Sequence, residues 1–107
     1  MTGSAAVEVL YWEGCPSLPE TLAELERVLR EEGLDTAVRL VEVLSDEQAR
    51  EERFPGSPTI RINGEDIVTP ADSEPFSLTC RVYRTRDGRV SAVPDPEDLR
   101  EAVRRAA

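Results

Sequence analysis

The chain has 107 residues, 39% of them hydrophobic, a size that suits one domain with one modest core, so a single domain over residues 1–107 is expected. Its 22 acidic and 13 basic side chains give a net charge of -9 with the arginines scattered, which argues against nucleic acid and anionic membrane as partners. Histidine and lysine are absent, which removes histidine-based triads, histidine-assisted cysteine nucleophiles, histidine-ligated zinc, Schiff-base lysines and P-loop lysines, and leaves thiol chemistry, carboxylate chemistry or binding.

Ala6–Trp12 is rich in β-branched and aromatic residues and ends near Gly14, as a first strand does. From Leu18 through Leu22, Leu25, Val28 and Leu29 the apolar residues recur at helical spacing, and Gly33 supplies a stop, so residues 17–32 read as an amphipathic helix. The nearly continuous apolar run Ala37–Leu44 has the length of a strand covered on both faces. Ser45 with Gln48 three residues on has the form of a capping box and opens a short polar helix that ends before Phe54-Pro55-Gly56.

Pro58–Ile62 alternates as a strand and meets the turn pair Asn63-Gly64, after which the acidic, proline-bearing stretch Glu65–Thr79 reads as loop. Cys80–Thr85 is strand-like, Asp87-Gly88 is a hairpin signal, and Arg89–Val93 forms a returning strand. Asp95-Pro96 caps a terminal helix whose apolar face is Leu99, Ala102, Val103 and Ala106. The order β-α-β-α-β-β-α, with an extra loop and hairpin before the last helix, implies an α/β fold with a central mixed sheet flanked by helices.

No run of about 18 apolar residues occurs, and Met1–Ala6 lacks the charge and apolar core of a signal peptide, so the expected location is the cytoplasm. In that reducing compartment Cys15 and Cys80 are expected as free or reactive thiols rather than as a staple. Cys15 stands where the first helix begins, and a sulfur there meets unpaired amide hydrogens and the positive dipole end. The dipole contributes about 0.3–1 kcal/mol, up to about 2 when partly buried. A mildly acidic thiol, below about 8.5, is therefore expected, with Glu13 and Glu20 opposing the thiolate if they face it.

Tyr11-Trp12-Glu13-Gly14-Cys15-Pro16-Ser17-Leu18 after the first strand, and Gly56-Ser57-Pro58-Thr59 before the third, resemble the thioredoxin superfamily over nearly the whole chain. The resemblance implies the three-layer thioredoxin-like fold and Cys15 as the reacting sulfur. It also implies a cis Ser57–Pro58 bond lying against Cys15, leaving the Ser57 backbone open to an extended peptide or a thiol ligand. Trp12, Pro16, Ser57, Pro58 and Thr59 are then the candidate substrate-binding residues, and the partner is a small thiol or a protein thiol or disulfide.

The second cysteine of the family's Cys-x-x-Cys motif is Leu18 here, so a mixed disulfide at Cys15 needs Cys80 or an external thiol for release. Phe76–Tyr83, around Cys80, resembles the second cysteine segment of alkylmercury lyases. Three functions stay open: thiol-redox chemistry at Cys15 and Cys80, a binding module that keeps the fold without the chemistry, and a soft-metal or organomercury binder using both sulfurs. No cofactor is expected.

Overall fold

A computed structural model describes residues 5–70 and 75–106. Strand β1, Val7–Tyr11, turns Val7 and Val9 to one face and Leu10 to the other, the alternation that a pleated strand imposes. It pairs parallel with β2, Val38–Glu42, and antiparallel with β3, Thr59–Ile62, so that Val9 lies between Leu40 and Ile60. Asn63 and Gly64, at φ 54° and 82°, form a tight turn into β4, Glu65–Asp66, both taking the left-handed values that a two-residue hairpin favours. The sheet is mixed and four-stranded, in the order β2-β1-β3-β4.

Helices cover both faces. The helix α1, Leu18–Glu31, and the helix α3, Pro96–Ala106, bring Leu25, Val28, Leu99 and Val103 onto Val7, Val9, Ile60 and Ile62. On the opposite face Ala49, from α2 at Asp46–Glu52, and Phe54 just beyond it pack against Leu10 and Val43. The buried stripe of α1 runs through Thr21, Leu25, Val28 and Leu29, whereas Leu18 and Leu22 sit half-buried at its margin. The Ser45 hydroxyl caps α2 by accepting from the Gln48 amide at 3.0 Å, and the Gln48 side chain reaches back to the Leu44 amide. Asp95 caps α3 through the Glu97 amide at 2.8 Å.

Three expectations change. The strand β2 is an edge strand and not one covered on both faces: Leu40, paired with Val9 on the α1 and α3 side, lies beyond the reach of those helices, and the short α2 on the other side meets only Val41 and Val43; Leu40 is 49% and Leu44 71% exposed. The stretch expected as loop opens with the two residues of β4, and its residues 71–74 lie outside the described part of the chain. The two late strands shrink to β5, Tyr83–Arg84, and β6, Val90–Ser91, which pair with each other in a separate sheet. Cys80 falls outside them and makes a lone parallel bridge to Ser57. Among the described residues no helix is long and apolar enough to cross a membrane.

Candidate functional site

Between β1 and α1 the chain turns through Glu13 and Gly14, with Gly14 at φ 86°, and the Cys15 amide donates to the Trp12 carbonyl at 3.2 Å. Cys15 therefore precedes the helix N-cap, Ser17, by two residues instead of lying in the first helical turn. The sulfur nevertheless meets the helix entrance, because Ser17 makes no side-chain cap and its hydroxyl lies 3.5 Å from Cys15 Sγ. Only 7% of Cys15 is exposed.

Burial pushes the Cys15 thiol up, yet hydrogen bonds from the Ser17 and Ser57 hydroxyls and from the Ser17 and Leu18 amides favour the thiolate and hold it below the ordinary value of 9.0. These stabilising groups are neutral dipoles. The activation comes from several short-range donors converging on one sulfur rather than from a charged neighbour.

Ser57 is the residue that joins the two cysteine-bearing segments. It is fully buried, its Oγ accepts from the Trp12 amide at 3.4 Å, and the same hydroxyl acts on Cys15. Its backbone is bridged to Cys80: the Ser57 amide donates to the Thr79 carbonyl at 2.8 Å, and the Arg81 amide donates to the Ser57 carbonyl at 3.0 Å. Cys15 is buried and Cys80 exposed, both as free thiols. The Ser57 backbone, expected to stand open to a ligand, is thus engaged by the chain itself.

The other candidates divide by role. Half-buried Trp12 packs against Leu10 and its neighbours and donates from Nε1 to the Thr79 carbonyl at 2.8 Å, so it holds the Cys80 segment. Pro16 is exposed beside Cys15. The Ser57–Pro58 bond is cis, and the buried Pro58 carbonyl accepts from the Tyr83 hydroxyl. Thr59 is fully buried; its hydroxyl donates to the Gly56 carbonyl at 2.6 Å and receives Arg81 at 3.3 Å, which leaves it beneath the site rather than facing a ligand.

Sequence reasoning missed Arg81. Its guanidinium, 2% exposed, pairs with Asp66 at 2.8 Å, donates to the Val68 carbonyl at 2.7 Å and lies 4.7 Å from the Tyr83 ring centre. An arginine directly after a cysteine reads as surface in the sequence, and nothing local signals a buried partner fifteen residues earlier. Burial pushes the Asp66 carboxyl up, with the Arg81 charge pulling it partly back. Ser17 also acts on the sulfur, although the sequence marks it only as a helix start.

A cavity of about 640 Å³ between Arg53, Arg61, Glu65 and Phe76 contains none of the candidate residues. Among the described residues no group of three or more histidine, cysteine or acidic side chains is placed to hold a metal ion. Fold and site together define a mixed α/β protein with a buried, activated thiol at the entrance of its first helix. Comparison with protein-family models, curated proteins and solved structures returns no match.

Proposed function

We propose that this chain is a thioredoxin-like thiol-redox protein of the cytoplasm in which Cys15 exchanges with an oxidised sulfur and Cys80 resolves the adduct. The carrying observation is that Ser57 adjoins both sulfur-bearing residues, Cys15 through its hydroxyl and Cys80 through the backbone bridge. The strand order β2-β1-β3-β4 with helices on both faces, and the Ser57-Pro58 segment beside a helix-entrance cysteine, support the thioredoxin-like reading.

The chemistry balances with two protein thiols. The Cys15 thiolate attacks one sulfur of a disulfide RS–SR, forming a Cys15–SR bond and releasing RS⁻, which takes up a proton. The Cys80 thiol loses its proton and attacks Cys15 Sγ, giving a Cys15–Cys80 disulfide and a second RS⁻. The substrate disulfide is reduced to two thiols as the protein dithiol is oxidised, and a low-molecular-weight thiol in excess returns the protein to its starting state. Leu18, in the position of the absent local cysteine, packs against the core around α1, which leaves Cys80 as the internal resolving group.

Non-reducing peptide mapping after treatment with a small disulfide tests this. The native chain is expected to yield a Cys15–Cys80 disulfide, Cys80→Ser to stop at the Cys15 adduct, and Cys15→Ser to capture nothing. Capture at Cys80 with Cys15 unmodified overturns the assignment.

A further inference from the structure

The segment carrying Cys80 lies along the segment that leads into Pro58. The Ser77 amide donates to the Phe54 carbonyl at 3.2 Å, and the Thr79 carbonyl and Arg81 amide take both backbone groups of Ser57. The approach is close: a Cβ placed on Gly56 would lie 2.8 Å from the Arg81 nitrogen. Two further contacts hold the strap down, the Trp12 Nε1 bond to the Thr79 carbonyl and the Leu78 amide bond to Asp46 at 2.8 Å. Beneath it Arg81 is anchored by the buried pair with Asp66.

We infer that this strap, residues 77–81, restricts the Cys15 site to small sulfur compounds that carry no extended peptide backbone. An extended polypeptide gains affinity at a strand edge through main-chain hydrogen bonds, and the groups of Ser57 that would supply them are occupied. A small disulfide needs only a path to the sulfur. The inference rests on the thiol-redox reading above and adds the substrate class to it.

Two activated disulfides with the same thionitrobenzoate leaving group distinguish the classes, one built on mercaptoethanol and one on the cysteine of an unstructured peptide. Each is scored by the rate of leaving-group release at Cys15 of the full chain, divided by its rate with a free thiol. The small probe is expected to be favoured by about tenfold or more, the order of what two unavailable backbone hydrogen bonds represent. Asp66→Asn, which weakens the anchor of the strap, should raise the peptide rate while leaving the small-probe rate unchanged.

Hydrogen exchange on the native chain gives a reading independent of any variant, because the Ser57 and Arg81 amides are expected to be protected. Equal or faster reaction of the peptide, or unprotected amides at Ser57 and Arg81, overturns the restriction and leaves the thiol reading standing. Failure of Cys15 to react with either probe, while a free thiol does, removes the redox reading and the restriction with it.

Discussion

Cys15 is shielded from water and still ionises more readily than an ordinary thiol, because two serine hydroxyls and two amides meet its sulfur. Since the thiolate is the attacking species, alkylation of Cys15 should rise with pH to a midpoint below 9.0. Ser57→Ala removes one of the donors that favour the thiolate, so the midpoint should move up and the rate at neutral pH fall by about three- to tenfold. An unchanged profile would show that Ser57 does not stabilise the sulfur. The buried Thr21 hydroxyl, with no hydrogen-bond partner among the described residues, is a polar interruption in the otherwise apolar stripe of α1.

Elements in this chain succeed locally and are then placed by contacts far away in sequence. The α2 helix shows the first half, since Ser45 and Gln48 fix its start within a few residues. The strap shows the second half, since its residues are strand-like but spend their backbone groups on Phe54 and Ser57 instead of extending β5. Arg81 is what makes that placement stable. Replacing it with methionine leaves the mostly buried Asp66 carboxyl without its partner, and breaking such a pair costs about 3–5 kcal/mol. Arg81→Met should therefore lower the urea midpoint markedly, and adding Asp66→Leu should recover part of the loss because no unpaired charge then remains. Equal midpoints for native and Arg81→Met would show that the strap is held by its backbone bonds alone.

Across the whole molecule the acidic excess is organised rather than merely spread over the surface. Arg100 meets Glu31 at 2.7 Å and Arg104 meets Glu32 at 2.9 Å, tying α3 to α1, and Arg86 joins Asp98 and Glu101. Hydrogen bonds from Arg100 and Arg27 hold Glu31 below its ordinary 4.5, the bond from Arg86 does so for Glu101, and backbone amides of Arg86 and Glu97 hold Asp95 below 3.8. A carboxyl lowered in this way stabilises the fold above its unfolded value and loses that contribution as pH falls through its native value. Asp66 is raised, so its contribution has the opposite sign: it is present below 3.8 and lost as pH rises through the native value. Urea midpoints measured against pH should thus fall below pH 4.5, and fall more steeply in Asp66→Asn, where the opposing contribution is gone. A pH-independent midpoint would mean that these surface pairs contribute nothing measurable, which is the ordinary outcome for isolated exposed pairs.

Sequence by itself determined the order of the helices and of the strands other than β4, the start of each helix and the position of Cys15 at a helix entrance, because periodicity, caps and turn pairs act between neighbours in the chain. It misjudged β2, whose continuous apolar run reads the same whether a strand lies inside a sheet or at its edge; only the pairing order, which sets β2 at the edge where α1 and α3 do not extend over it, leaves Leu40 uncovered. Tertiary structure alone decided that Cys80 leaves its expected strand to bridge Ser57, that Arg81 is buried on Asp66, and that the backbone beside Pro58 is already occupied. These depend on bonds between residues fifteen or more positions apart, where the sequence shows which groups exist but not which of them meet.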